Sequence, residues 1–208
     1  ARALASALRS TDYRGTLLFA STGGVYGNTD HPVDEQAPVQ PVTRYARAKL
    51  EAERILVDAA ASVVIARLFQ VYGEGQRKLV VYDLAHRVHN ERGPLTLRSS
   101  GAEVRDLAHV EGVVGALRLL LSAADRPQHL VVNVATGVGT RIDDLARRLL
   151  DLAGHRGREV RPGPDGDQNP LKASIADVSK LRGLGAEVAS VSDASLLGVL
   201  NWVAADAS

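Results

Sequence analysis

The sequence predicts an α/β fold around a parallel sheet, on three observations. Short apolar runs rich in β-branched residues recur at Thr16–Ala20, Ser62–Leu68 and Leu130–Val134, and such runs read as strands buried on both faces. Longer segments with helical spacing, among them 43–60 and 109–121, lie between them. Strand and helix in alternation are the mark of crossover connections, which join parallel strands.

Taken in order, the chain opens on Ala1-Arg2-Ala3-Leu4-Ala5-Ser6-Ala7-Leu8-Arg9, an amphipathic helical pattern over 1–12. Arg14-Gly15 breaks it before the first strand. The turn Thr22-Gly23-Gly24-Val25-Tyr26-Gly27 follows, then a proline-punctuated loop over Asn28–Val42. Thr43 is the predicted N-cap of a helix to about Ala60, with Glu51, Glu53 and Arg54 on its wet side. Ser62–Leu68 is the second strand. Lys78–Glu91 is predicted helical, Leu95–Leu97 a short strand, His109–Leu121 helical, Leu130–Val134 a strand and Arg141–Ala153 helical. Gly157–Pro170 is loop-like, and weaker helices are expected near Asp177–Leu184 and Asp193–Val203.

The 208 residues are enough for one domain with a sizeable core. A hydrophobic content of 45% and a net charge of +1 fit an ordinary globular protein and point to neither nucleic acid nor a membrane surface. With no cysteine, disulfides and thiolate metal sites are excluded. No apolar run approaches the ~20 residues of a membrane span, and no signal peptide is evident, so the expectation is a cytoplasmic enzyme. The chain lacks methionine and opens mid-helix, which predicts the later part of a longer protein.

Chemistry concentrates at Tyr45 and Lys49, which are four apart and so share a helix face. A free tyrosine titrates near ~10, and bringing one toward ~7 takes about 4 kcal/mol, at about 1.4 kcal/mol per pH unit. A unit cation at ~4 Å supplies about that at an effective dielectric of ~20. With five tyrosines and four lysines in the chain, about 0.1 such pairs arise by chance. The bland alternative, an interface tyrosine beside a solvated lysine, stays open on the pair alone. A hydroxyl at Thr22, ending the apolar run that precedes the loop, adds a second hydrogen-bonding group for a substrate oxygen.

The run Phe19-Ala-Ser-Thr-Gly-Gly-Val-Tyr-Gly27, then Asp34-Glu35…Pro38…Pro41…Tyr45-x-x-x-Lys49-Leu50-x-x-Glu53, resembles the extended short-chain dehydrogenases/reductases. The likeness is to the branch acting on nucleotide-diphosphate sugars, such as UDP-glucose 4-epimerase. It continues through Ala66-Arg67-Leu68-Phe69-Gln70-Val71-Tyr72-Gly73-Glu74-Gly75-Gln76, Arg105-Asp106-Leu107-Ala108-His109-Val110, Asn133-Val134-Ala135-Thr136-Gly137, Arg161-Pro162-Gly163 and Ala176-Asp177-Val178-Ser179-Lys180.

What the resemblance implies is a doubly wound, Rossmann-like parallel sheet with its first half absent and a smaller C-terminal substrate-binding region. Residues 1–72 would carry the catalytic part. Residues 73–208 would be mainly substrate-binding, interleaved with late sheet elements at about 106–136. Tyr45 is implied as acid/base, Thr22 as the hydroxyl steadying the sugar oxygen, and Lys49 as the cation beside the phenol and the nicotinamide ribose. Ser21 and Phe69 are implied on the cofactor, which is NAD, with NADP not excluded. Gln70, Arg105 and Lys172 are implied near the substrate diphosphate, where an arginine's planar fork suits phosphate oxygens.

Gln70 stands where asparagine is usual. Gly23 and Gly24 replace the Asp-Glu pair of the sugar 4,6-dehydratases, which disfavours water elimination and would leave room for a keto-sugar to turn. The Gly-rich first turn and the acidic residue that hold a dinucleotide are missing from the sequence. Gly23-Gly24-x-x-Gly27 belongs instead to the catalytic strand end. The six histidines lack metal-ligand spacing, Asp143-Asp144 reads as a helix start, Trp202 as a core or interface anchor, and Arg147-Arg148 as a solvated face.

The function expected is NAD-dependent epimerisation of a nucleotide-diphosphate sugar. The rivals are a ketosugar reductase or dehydrogenase on the same scaffold and a non-catalytic binding protein or inactive fragment. Partners are a nucleotide-sugar substrate and a second copy, docked through the helices at 1–12 and 43–60.

Overall fold

The computed structural model describes residues 1–29, 31–123, 126–163 and 172–206. Its centre is a parallel sheet in the order β1–β2–β6, formed by Thr16–Thr22, Ser62–Leu68 and His129–Val134. Residues of β2 alternate between two apolar clusters. Val64 and Ala66 pack with Val113, Ala116 and Leu120 of helix α4 (Val110–Ser122). Val63 and Ile65 face the other way, against Leu8 of α1 (Arg2–Ser10) and Val57 of α2 (Arg44–Val57). Both faces of the strand are therefore dry, which is why its sequence is a continuous apolar run. Among the described residues β1 is an edge strand.

A second sheet is built around β5. Strand β5 (Val104–His109) runs parallel to β3 (Gln70–Tyr72) and to β9 (Ala173–Ser174), and antiparallel to β7 (Gly139–Arg141). The antiparallel β7 belongs to this second sheet, apart from the parallel β1–β2–β6 sheet. It follows a short turn from β6, so no crossover helix reverses the chain. Helices α3 (Leu79–Asn90), α5 (Ile142–Leu152) and α7 (Asp193–Asp206) pack their apolar stripes together with Leu107 of β5. A two-stranded parallel pair, β4 (Leu95–Thr96) with β8 (Val160–Arg161), and the short helix α6 (Ser179–Gly183) complete the fold.

Most predicted elements are present with ends shifted by a residue or two. Thr43 caps α2 as expected, its Oγ1 accepting from Ala46 N at 3.1 Å. Of the loop expected over Gly157–Pro170, positions 164–170 lie outside the described residues. Trp202 anchors α7 against Tyr82 of α3, with ring centroids 5.9 Å apart. The Arg147–Arg148 pair divides, since Arg148 turns to Asp193 at 2.6 Å, pinning α5 to the start of α7.

One placement was wrong. Glu53 was expected on the wet side of α2, but it is only 4% exposed. Its carboxylate is paired with the guanidinium of Arg67 on β2 and accepts from the hydroxyl of Ser21 on β1. A carboxylate can leave water when a cation and hydrogen bonds replace its hydration. Here both come from residues distant in sequence.

Candidate active site

The C-terminal ends of β1 and β2, the start of β3 and the first turns of α2 enclose a cleft of about 380 Å³. Thr22, Tyr45, Lys49, Phe69, Gln70 and Arg105 all line it, as does Ser21. Lys172 does not. It is exposed, and its main chain knits the rim, donating to Asn28 Oδ1 at 2.7 Å and accepting from Val104 N at 3.0 Å.

Tyr45 sits one residue into α2 and projects into the cleft, 61% exposed. Lys49, one turn on, places its ammonium 5.7 Å from the Tyr45 ring centroid and 4.8 Å from that of Phe19. It donates to the carbonyl of Ala20 at 2.7 Å, which fixes it against the end of β1.

Thr22 ends β1 and caps the 3-10 turn Gly23–Tyr26, with its Oγ1 accepting from Gly24 N at 3.1 Å. The hydroxyl proton is left to donate toward the cleft. Gly24 lines the cleft but Gly23 does not. A Cβ on Gly23 would stand 2.7 Å from the Phe69 ring, so this glycine makes room for an aromatic side chain of the protein itself. Of the two glycines expected to leave room for a turning sugar, only Gly24 borders the cleft.

Arg105 and Asp106 occupy adjacent positions on β5 and are both buried. Burial depresses the Arg105 guanidinium, against the opposing pull of Glu103. A cation in this state gains from an anionic ligand that replaces lost hydration. Burial likewise raises the Asp106 carboxyl, although Thr136, Ala176 and Gly137 all hydrogen-bond to it. Thr136 N and Oγ1 donate to its Oδ1 at 2.9 and 2.7 Å, and Gly137 N and Ala176 N to its Oδ2 at 2.9 and 3.3 Å. Asp106 thus holds β5, the turn before β7 and the end of β9 together beneath the cleft.

Gln76, Leu79, Asp106 and Ser174 also line the cleft and were not singled out from sequence. Leu79 has a left-handed φ of 68° and is exposed at the mouth. No local pattern marks any of the four, because tertiary pairing of β3, β5 and β9 brings them here.

A doubly wound α/β fold with a Tyr–Lys pair beside a strand-end threonine defines a class of nucleotide-cofactor enzymes. The chain belongs to the NAD dependent epimerase/dehydratase family, whose model matches residues 1–135. It is 29% identical over 178 residues to a UDP-glucose 4-epimerase of Corynebacterium glutamicum, covering 76% of this chain and 54% of that one. It is 30% identical over 164 residues to a GDP-6-deoxy-D-mannose reductase of Pseudomonas aeruginosa, covering 72% and 53%. Among solved structures, MoeE5 in complex with UDP-glucose and NAD superposes with a TM-score of 0.86 at 26% identity, covering 99% of this chain and 70% of that one. The chain spans about half the length of the relatives it matches. No helix among the described residues is long and apolar enough to cross a membrane.

Proposed function

We propose that the protein is an NAD-dependent epimerase of a nucleotide-diphosphate sugar, with Tyr45 as acid/base. The observation that carries this reading is the convergence of Thr22, Tyr45, Lys49, Phe69, Gln70 and Arg105 on one cleft from three strands and a helix. The cleft fits the nicotinamide end of NAD, with Lys49 at one wall and Phe69 at another, seated on a glycine that has no Cβ to displace it. NAD, when bound, supplies hydride acceptance and return.

Tyr45, as phenolate, takes the proton of the sugar hydroxyl while the carbinol carbon becomes a ketone. The Lys49 ammonium stabilises the phenolate, and Thr22 donates to the same sugar oxygen. After the keto-sugar has presented its other face, Tyr45 returns the proton to the oxygen and the hydroxyl is restored with inverted configuration. Arg105 and Gln70 anchor the diphosphate, with Lys172 at the rim, so that the sugar turns while the nucleotide stays fixed. Ser21 belongs to the cofactor side of the cleft.

The same reading takes the protein as cytoplasmic and homodimeric, its α1 and α2 packed on those of a second copy. Arg2 and Glu51 already join these two helices at 2.9 Å, making one continuous outer surface.

A reductase on the same scaffold is the second reading, favoured by the similarity to GDP-6-deoxy-D-mannose reductase. The two separate on cofactor balance. Incubation of the intact protein with UDP-, GDP- and dTDP-sugars should yield the stereoisomer with no net change in nicotinamide absorbance. Stoichiometric consumption of reduced cofactor with a keto-sugar would instead establish the reductase.

A further inference from the structure

At the edge of the cleft, Ser21 forms a buried polar cluster with Glu53 and Arg67, two residues to which the proposed chemistry assigns no task. We infer that Glu53 is a positioning residue for Tyr45 and Lys49, acting through Ser21 and Arg67. The inference rests on the reading of that pair as acid/base.

Tyr45, Lys49 and Glu53 are spaced four apart, so they occupy one face of α2 on three successive turns. Lys49 reaches the carbonyl of Ala20, and Glu53 receives the hydroxyl proton of Ser21, the next residue along β1. Adjacent helix turns therefore grip adjacent strand residues. Rotation or sliding of α2 relative to β1 breaks both grips at once, and Tyr45 moves with them.

The Glu53 carboxylate is held on both oxygens by Arg67, Nη2 to Oε2 at 2.9 Å and Nε to Oε1 at 3.3 Å. Arg67 Nη1 donates to the Tyr26 hydroxyl at 2.9 Å, and that hydroxyl donates to Asn133 Oδ1 at 2.8 Å on β6. Thr22 thus lies between two anchors of the same cluster, Ser21 before it and Tyr26 after it. Burial opposes the Arg67 charge, yet Glu53 and Tyr26 more than restore it. A buried ion pair is often no better for stability than apolar residues of the same volume, whereas its directional bonds specify one registry. Ser21, read from sequence as a cofactor contact, gives its proton to Glu53, so toward the cleft its oxygen can only accept.

The test compares Ser21→Ala and Glu53→Gln with wild type in the intact protein, labelled with carbon-13 at the tyrosine Cζ. Ser21→Ala removes one hydrogen bond and leaves the ion pair whole, so it remains informative if Glu53→Gln does not fold. The Tyr45 resonance is assigned by its loss in Tyr45→Phe. The charged groups that line the cleft together with Tyr45 (Lys49, Arg105 and Asp106) are the same in every variant. The expected result is a displaced Tyr45 Cζ chemical shift in both variants, together with a fall in kcat of up to about 10²-fold at unchanged KM for the sugar nucleotide. A wild-type Tyr45 chemical shift in both variants, with only a lowered melting temperature, overturns the inference. A wild type that turns over no sugar nucleotide sinks the proposed function instead, while the chemical-shift comparison still decides this one.

Discussion

Lys49 donates to the carbonyl of Ala20 at 2.7 Å while standing 5.7 Å from the Tyr45 ring, so one ammonium serves both the strand end and the phenol. Lys49→Met removes the cation and the hydrogen bond without adding bulk. The expected outcome is a loss of kcat of about 10²-fold or more, the usual scale of an acid/base contribution. The melting temperature should stay close to wild type, because Lys49 is only partly buried. Steady-state kinetics beside a thermal melt checks both halves.

The two glycines after Thr22 should respond unequally. A Cβ at Gly23 meets Phe69 ring carbons at 2.7 to 2.9 Å, which forces the ring out of its seat. Gly23→Ala should cost about 1–3 kcal/mol, the range for overpacking. At Gly24 the nearest atoms are Thr22 Oγ1 at 3.4 Å and Ala46 Cβ at 3.6 Å, ordinary contacts. Gly24→Ala should therefore cost less than about 1 kcal/mol by the same standard. Urea denaturation of the two variants measures the difference.

Asp106 accepts four hydrogen bonds, two on each oxygen. In Asp106→Asn the amide nitrogen must face N–H donors whichever way it is turned. Each unmet buried donor costs about 1–3 kcal/mol. Because the bonds bind β9 and the turn before β7 to Arg105's strand, KM for the sugar nucleotide should rise along with the loss of stability. Unchanged KM in a folded variant would show that the cleft does not depend on this staple.

Alkaline pH should unfold the protein earlier than surface titration alone would. Burial raises the phenols of Tyr26 and Tyr72 above their ordinary values, against the hydrogen bonds they share with Arg67 and Ser195 respectively. A group whose folded-state value is raised contributes stability that is complete below the unfolded value of ~10 and is lost as pH climbs through the folded one. Denaturation midpoints should hold level to about pH 9.5 and fall from ~10 upward. Tyr72→Phe should make that fall shallower.

The parts of the site legible in sequence are those built from local rules. Thr43, Tyr45 and Lys49 are placed by capping and by helical spacing, which need no tertiary knowledge. Thr22 follows from an apolar run ending in a glycine-rich turn. The strand at Val104–His109 was missed because Arg105, Asp106 and His109 interrupt its apolar pattern, and the burial of Asp106 depends on partners such as Thr136 and Ala176 far along the chain. Glu53 was misplaced for the same reason, although Tyr45, Lys49 and Glu53 at even spacing did carry the signal that all three face one way. Gly23 looked like open space in sequence, since only the folded chain brings Phe69 over it.

The central claim, that the Tyr45 phenol exchanges the sugar hydroxyl proton, is tested most directly by Tyr45→Phe in the intact protein. Stereoisomer formation from sugar nucleotides should fall about 10²- to 10⁴-fold with the fold and sugar-nucleotide binding retained. Full turnover in that variant would contradict the account.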